Sequence, residues 1–292
     1  MPAEFDFISW VRGQQKASEM VQLPAGDDLA VVKWKPEDLL LVGTDQVLDG
    51  VHFDSKVHSP DLIGRKVMNR NLSDCAAMAC LPLAAVATVA LPRGTSLEYA
   101  KQLYLGMKQA GEAFGCEIVG GDTASWDGKL VVTISILGRS AGIKPVTRKG
   151  AKPEDGIYVT GPLGGSLVGR HMTFAPRVKE GIALGRAGVH AMIDISDGLS
   201  RDLKHICEES GVGAVVEARC VPIHEDARKI QDGRAPLEHA LHDGEDHELL
   251  FTDSRAHPDW IRIGEITADT GIFLEQDGKR TPLDPKGWEH RF

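Results

Sequence analysis

Between Ala191 and Leu203 an apolar run, Ala191-Met192-Ile193, ends on two carboxylates, Asp194 and Asp197, with a hydroxyl between them at Ser196 and a glycine after them at Gly198. Leu199, Leu203 and Ile206 then recur at helical spacing. Few foldings satisfy both halves: a strand runs into a helix, and the acids sit at the turn between them. Taken alone, the stretch reads as an ordinary helix start with Ser and Asp as caps.

Repetition changes that reading. Acid-bearing turns flank apolar runs again at Gly26-Asp27-Asp28, Thr44-Asp45, Asn71-Leu72-Ser73-Asp74, Gly120-Gly121-Asp122 and Gly244-Glu245-Asp246. So many acids at element ends point to one acidic, metal-loaded site gathered from across the chain. The surplus of 42 Asp+Glu over 33 Lys+Arg, a net charge of −9, argues against a nucleic-acid surface, which needs a basic stripe. An anionic substrate would therefore need metals or a local basic patch. The five cysteines are odd in number and form no Cys-x-x-Cys pair, so neither a disulfide framework nor a zinc site is signalled, and a reduced cytoplasmic setting fits. The charged first 20 residues are unlike a secretory signal, and the most apolar run, Leu81 to Leu91, is broken by Pro82 and too short for a membrane helix. A soluble protein is expected, of one large or two medium α/β domains.

In chain order, Phe5 to Val11 has amphipathic helical spacing, and Gly26-Asp27-Asp28 opens a strand over Leu29 to Val32. A second strand, Leu39 to Val42, runs into Thr44-Asp45, which puts the acid at its end, and Val47 to Phe53 continues it, which places His52 opposite to Val51 and Phe53. Residues Asp61 to Cys80 are helical in pattern, yet Asn69, Asn71, Ser73 and Asp74 interrupt it beside small alanines, as if the helix approached something closely. Leu83 to Leu91 reads as a buried strand and Ser96 to Phe114 as a helix with a Ser-x-x-Tyr cap. Cys116 to Val119 reads as a strand ending in Gly120-Gly121-Asp122-Thr123, where paired glycines would let backbone amides approach a ligand or else make a tight hairpin. Leu130 to Leu137 returns as a strand.

Ala141 to Pro153 reads as a linker with Lys144, Arg148, Lys149 and Lys152 and no acid, a basic patch able to grip phosphate in an acidic protein. A boundary falls near Gly142, giving domains 1–141 and 142–292. In the second domain, Ile157 to Thr160 is a strand, and the glycine-rich Gly161 to Ser166 lacks the Lys-Ser/Thr of a P-loop. A helix over Ser200 to Glu209, a strand near Ala214 to Glu217, a helix over His224 to Ile230 and a strand from Glu248 to Phe251 follow, with His239 and His242 read as structural.

Oxygen donors without Cys or clustered His select Mg²⁺ or Mn²⁺. Converging carboxylates repel one another unless divalent ions and a polyphosphate fill the space between them, the arrangement that phosphoryl transfer uses. The residues by themselves reach an ATP–Mg²⁺ enzyme and name no acceptor.

The motifs Gly26-Asp27-Asp28, Thr44-Asp45 with Gly50-Val51-His52-Phe53, Asn71-Leu72-Ser73-Asp74 with Ala76-Ala77-Met78, Gly120-Gly121-Asp122-Thr123, Thr147-Arg148 with Gly150 to Pro153, Ile193 to Leu199, and Gly244-Glu245-Asp246 with Glu248-Leu249 run through nearly the whole chain. In this order they resemble the thiamine-monophosphate kinase family, of the superfamily shared with aminoimidazole ribonucleotide synthetase, selenophosphate synthetase and a hydrogenase-maturation protein. The resemblance implies a two-domain α/β (α+β) fold of the aminoimidazole ribonucleotide synthetase type. Its N-terminal domain would bind ATP and Mg²⁺ and pair its sheet into a barrel across a homodimer, and a C-terminal α/β domain would complete the nucleotide and substrate site.

The implied reaction moves the γ-phosphoryl of ATP onto thiamine monophosphate, with no nucleic-acid or membrane partner. By the same resemblance Asp28, Gly43, Thr44, Asp45, Asp74, Asp194 and Asp197 would carry several Mg²⁺ ions. Gly121, Asp122, Arg148 and Ser196 would hold ATP, and His52, Glu245 and Trp288 would meet the substrate; Asp45, Asp197 and Arg148 would be the catalytic set. The chain departs from the family pattern in a short segment between His171 and Pro176-Arg177, a short stretch after Phe251, and His247 where the family carries tyrosine. A related synthetase with another acceptor, or a nucleotide-binding protein without turnover, are the alternatives.

Overall fold

In the computed structural model the described residues are 10–11, 13–14, 21–23, 31–33, 35, 37–140 and 142–288. The sequence readings on Phe5 and Ile8, on Gly26-Asp27-Asp28 and on Leu29-Ala30 lie outside them. The chain divides into two compact units, Met1–Cys75 with Cys80–Gly142, and Ala76–Ala79 with Ile143–Phe292.

In the first unit β1 (Val21–Leu23) and β2 (Val31–Val32) make a two-stranded sheet. Then come β3 (Leu40–Leu48), α1 (Pro60–Ala77), β4 (Leu81–Pro92), α2 (Leu97–Glu112), β5 (Glu117–Trp126) and β6 (Val131–Arg139). The four longer strands form a sheet in the order β3-β6-β4-β5. Its β4–β5 pair is parallel, with α2 as the crossover, and its other pairs are antiparallel. Strand β6 shows why these residues make a strand: Val132, Ile134 and Ile136 are buried while their neighbours are only partly so, a period of two. The cap of α2 is as read, with Ser96 Oγ accepting from the Tyr99 N–H at 3.2 Å.

Three readings in this unit are corrected. Thr44 and Asp45 lie in the middle of β3, paired with Ser135 and Ile134, because the antiparallel ladder with β6 runs unbroken from Leu40 opposite Arg139 to Leu48 opposite Val131. His52 is in a turn between Asp49 and Phe53, where the backbone N–H groups of Val51 and His52 both donate to the Leu48 carbonyl (3.1 and 3.0 Å). Strand β5 does not stop at Val119; it runs through Gly120, Gly121 and Asp122 to Trp126 in register with β4, which removes the hairpin reading.

The second unit holds β7 (Gly156–Val159), α3 (Val178–Ala187), β8 (Ala191–Asp194), α4 (Leu199–Ser210), β9 (Gly213–Glu217), α5 (Pro236–His242), β10 (Leu249–Asp253), β11 (Ile261–Thr267), β12 (Gly271–Gln276) and β13 (Lys279–Pro282). They form a seven-stranded mixed sheet in the order β13-β12-β9-β11-β7-β10-β8. Leu199, Leu203 and Ile206 of α4 are fully buried in one core with Ile157, Val159 and Ile193, so the apolar stripe that marked the helix also docks it on the sheet. Residues 224–230 form only a 3-10 turn, Glu225–Arg228, in place of the expected helix. Helix α3 and the meander after β10 had no matching sequence reading. Among the described residues no helix is long and apolar enough to cross a membrane.

Candidate functional site

In the first unit the candidate residues lie on β3, on α1, in the turn after β3 and on β5. On β3, Thr44 Oγ1 donates to the Ile134 carbonyl (3.0 Å) and accepts from Ser135 Oγ (3.1 Å). Asp45 next to it takes a two-point contact from Arg70 of α1, Nε at 2.8 Å and an outer nitrogen at 3.4 Å. Arg70 has no counterpart in the sequence reading, since only the fold brings α1 over β3. Further along α1, Asp74 is exposed while Asn71 and Ser73 are buried. The Asn71 side-chain amide donates to the Val67 carbonyl at 2.9 Å, and its Oδ1 is buried without a hydrogen-bond partner among the described residues. His52 Nδ1 accepts from the Leu48 N–H at 3.0 Å, which fixes the ring in its turn. Gly121 and Asp122 are exposed on β5. Gly43 is on β3, and Asp28 lies outside the described residues.

Gly121 is required by the sheet. A Cβ there would sit inside the van der Waals envelope of the Ala87 carbonyl oxygen, with Ala87 C at 2.9 Å and N at 3.1 Å, whereas a Cβ on Gly120 would meet only Val86 Cγ1 at 3.7 Å.

The second unit gathers its candidates tightly. Strand β8 ends at buried Asp194, residues 195–198 make the turn, and the Gly244 to His247 segment lies along it: Glu245 N–H donates to the Ser196 carbonyl (2.8 Å) and His247 N–H to the Ile195 carbonyl (2.8 Å). From the other side Trp288 N–H donates to the Asp197 carbonyl at 2.9 Å. Asp194, Ser196, Asp197, Glu245 and Trp288 thus converge around one strand-to-helix turn. The capping position of α4 is Gly198 rather than Ser196 or Asp197. Instead Asp202, one turn inside α4, accepts from the backbone N–H groups of Asp197 and Gly198, both at 3.1 Å. Arg148 is exposed in the segment before β7, and the Thr147 carbonyl beside it accepts from the Met192 N–H of β8 at 3.0 Å.

The acids of the Gly244 to Glu248 segment each have a partner that the sequence did not reveal. Glu245 accepts from His247 Nε2 at 3.2 Å, and the same imidazole holds Asp194 through Nδ1 at 3.3 Å while stacking on Phe174, ring centroids 4.0 Å apart. Burial works against charge on His247, but its hydrogen bonds to Asp194 and Glu245 and their charges outweigh it and raise the imidazole to about 9. Asp246 is held by Arg170 at 3.0 Å and the Gly164 N–H at 2.8 Å, and burial pushes its carboxyl up to about 7. Glu248 takes two hydrogen bonds from Arg177, at 2.8 and 2.6 Å, and one from Thr160 Oγ1 at 2.6 Å. The glycine-rich turn therefore clasps this acidic segment, with Ser166 Oγ also donating to the Glu245 carbonyl at 2.6 Å. Glu245 and His247 adopt left-handed backbone angles (φ 67° and 52°), a strained conformation that these contacts maintain.

Acid crowding marks what the turn can bind. Burial, and then the charges of Asp194 and Asp197, raise the Asp202 carboxyl well above the usual range. Asp197, Asp202 and His205 bring ligand atoms within 4.8 Å of one another. Carboxylate oxygens repelling one another at such range fit a hard divalent cation, and the donor set lacks the thiolates and clustered imidazoles of zinc.

Residues 26–140 match the family model of the AIR synthase related protein N-terminal domain, and residues 152–276 that of its C-terminal domain. A thiamine-monophosphate kinase of Rhodopirellula baltica is 38% identical over 308 residues, covering 98% of this chain and 97% of that one. Among solved structures, the thiamine-monophosphate kinase of Stenotrophomonas maltophilia K279a superposes with a TM-score of 0.84 at 29% identity, covering 96% of this chain and 98% of that one. AaThiL complexed with AMPPCP and TMP superposes with a TM-score of 0.80 at 30% identity, covering 100% and 99%. Two AIR synthase related domains define the class of protein; within it, the chain belongs to the thiamine-monophosphate kinase family.

Proposed function

We propose that this chain transfers the γ-phosphoryl group of ATP directly to the phosphate of thiamine monophosphate, giving thiamine diphosphate and ADP. The observation that carries the reading is the convergence of Asp194, Ser196, Asp197, Glu245 and Trp288 on one turn in a chain of this family. A phosphate oxygen of the acceptor attacks the γ-phosphorus in line, a new P–O bond forms, and the bond to the β-phosphate oxygen breaks with ADP as leaving group. The acceptor phosphate is already ionised, so no general base is needed; positioning and charge neutralisation do the work.

In this reading Asp28, Gly43, Thr44, Asp45, Asp74, Asp194 and Asp197 hold Mg²⁺, which when bound neutralises phosphate charge. Gly121, Asp122, Arg148 and Ser196 hold ATP, with Arg148 as a fork on phosphate oxygens. His52 and Glu245 meet thiamine monophosphate, and the half-exposed Trp288 indole packs on its ring system. Asp45, Asp197 and Arg148 form the catalytic set. Residues 1–141 make the ATP/Mg²⁺-binding domain, which pairs its sheet with that of a second copy into a barrel, and residues 142–292 complete the nucleotide and substrate site. The setting is the cytoplasm and the assembly a homodimer.

Asp45→Asn and Asp197→Asn test the metal assignment. Each variant is expected to lose at least a hundredfold in turnover while keeping the wild-type circular dichroism spectrum. Near-normal rates in both folded variants contradict it.

A further inference from the structure

The geometry of His247 gives it a task that a side chain with a single polar atom does not perform. The ring is fully enclosed, with 1% of its side chain exposed, and both nitrogens are engaged. Nδ1 meets Asp194 at 3.3 Å, Nε2 meets Glu245 at 3.2 Å, and one face lies flat on Phe174 with an interplanar angle of 14°. The two carboxylates differ in rigidity. Asp194 closes a buried sheet strand and is paired in register with Leu249, whereas Glu245 sits on a left-handed residue of an irregular segment. The imidazole therefore links a fixed post to a loop side chain.

We propose that His247 is a positioning residue for the phosphate acceptor, transmitting the fixed position of Asp194 through its two ring nitrogens to the Glu245 carboxylate, with Phe174 as the wall that sets the plane of the ring. The inference rests on the reading of Glu245 as a residue that meets thiamine monophosphate. It adds that Glu245 is held for that contact by this chain's own histidine. Asp194, read as holding Mg²⁺, is fixed by its place in the sheet, and Glu245 meets the ATP-holding Ser196 through backbone atoms that the ring does not supply, so the Glu245 carboxylate is the part that depends on His247 and the larger effect falls on the acceptor.

Two substitutions separate the parts. His247→Phe keeps a flat ring against Phe174 and removes both ring nitrogens; His247→Gln returns one side-chain amide that can donate toward Glu245. Steady-state rates with ATP, Mg²⁺ and thiamine monophosphate, together with calorimetric titration of thiamine monophosphate into each protein without ATP, read the result. Loss of a charge-assisted hydrogen bond that orients a binding group corresponds to about a tenfold effect. The expected outcome is a KM for thiamine monophosphate raised about tenfold in His247→Phe and a matching loss in the calorimetric Kd, with the KM for ATP within twofold of wild type and His247→Gln recovering part of the loss.

The inference is overturned if folded His247→Phe matches wild type within twofold in both acceptor measurements, or if KM for ATP and acceptor rise together. A His247→Gln variant no better than His247→Phe also overturns it. Should His247→Phe fail to fold, His247→Gln alone decides: a raised acceptor KM smaller than tenfold with normal ATP KM supports the role, and wild-type values for both contradict it. A wild-type enzyme that binds thiamine monophosphate without phosphorylating it refutes the proposed reaction while leaving the calorimetric comparison to judge His247. Absence of both binding and turnover in wild type refutes the two together.

Discussion

Gly121→Ala adds a methyl group that the sheet has no room for. The new Cβ falls inside the van der Waals envelope of the Ala87 carbonyl oxygen, with Ala87 C at 2.9 Å and N at 3.1 Å, and all three are backbone atoms of the neighbouring parallel strand. A carbon–oxygen contact needs about 3.3 Å, so β5 must move away from β4 and weaken ladder hydrogen bonds worth about 1 kcal/mol each. Overpacking against backbone with no rotamer to give costs about 3 kcal/mol, the upper end of the usual range. At about 2–4 °C per kcal/mol for a protein of this size, the melting temperature should fall by roughly 6–12 °C. Gly120→Ala is the control: its Cβ meets Val86 Cγ1 at an ordinary 3.7 Å. There the gain of about 0.5–1 kcal/mol from restricting the unfolded glycine leaves the melting temperature level or slightly raised. Thermal unfolding followed by circular dichroism without nucleotide reads both. If Gly121 is a glycine only so that a ligand can approach, Gly121→Ala melts within about 2 °C of wild type and loses only the stabilisation by ATP, and that result refutes the packing argument.

Trp288→Ala should raise the KM for thiamine monophosphate about tenfold, the effect of losing a stacked aromatic contact, with KM for ATP within twofold; equal changes in both constants count against the indole as a wall for the thiamine ring. Asp253, buried at the end of β10, supplies the pH prediction. Burial opposes its charge, but hydrogen bonds from Arg255 and His257 hold its carboxyl down at about 2, below the value of about 3.9 in the unfolded chain. Its ionised form thus stabilises the fold fully above pH 4 or so, and that contribution disappears as pH falls through 2. Urea unfolding should find Asp253→Asn less stable than wild type by about 2 kcal/mol at pH 7, with the gap closing between about pH 4 and pH 2; a gap that stays constant across that range contradicts the assignment.

Legibility in the sequence followed the range of the interaction. The helix from Leu199 and the strand before it were readable because Leu199, Leu203 and Ile206 repeat at helical spacing and are the residues that are buried. The acids at the turn were readable because a polar cluster at the end of an apolar run stands out locally. Asp45 was misplaced to a strand end for the complementary reason: a carboxylate paired with Arg70 sits comfortably in mid-strand, and that partner comes from a helix 25 residues away. Gly120 and Gly121 looked alike, and only the register with Ala87 tells them apart. The clasp on the acidic segment, with Arg170 on Asp246 and Arg177 on Glu248, joins residues more than 70 positions apart and leaves no local pattern. His247 was visible as a departure from the family motif, but its hold on both Asp194 and Glu245 follows from the way residues 244–247 lie along 195–196.

The central claim is the reaction itself. Purified protein incubated with ATP, Mg²⁺ and thiamine monophosphate, with the products separated by chromatography over time, tests it directly. The account predicts thiamine diphosphate appearing mole for mole with ADP, and neither product when Mg²⁺ is chelated. ADP without thiamine diphosphate, or bound ATP left intact beside unchanged thiamine monophosphate, contradicts it.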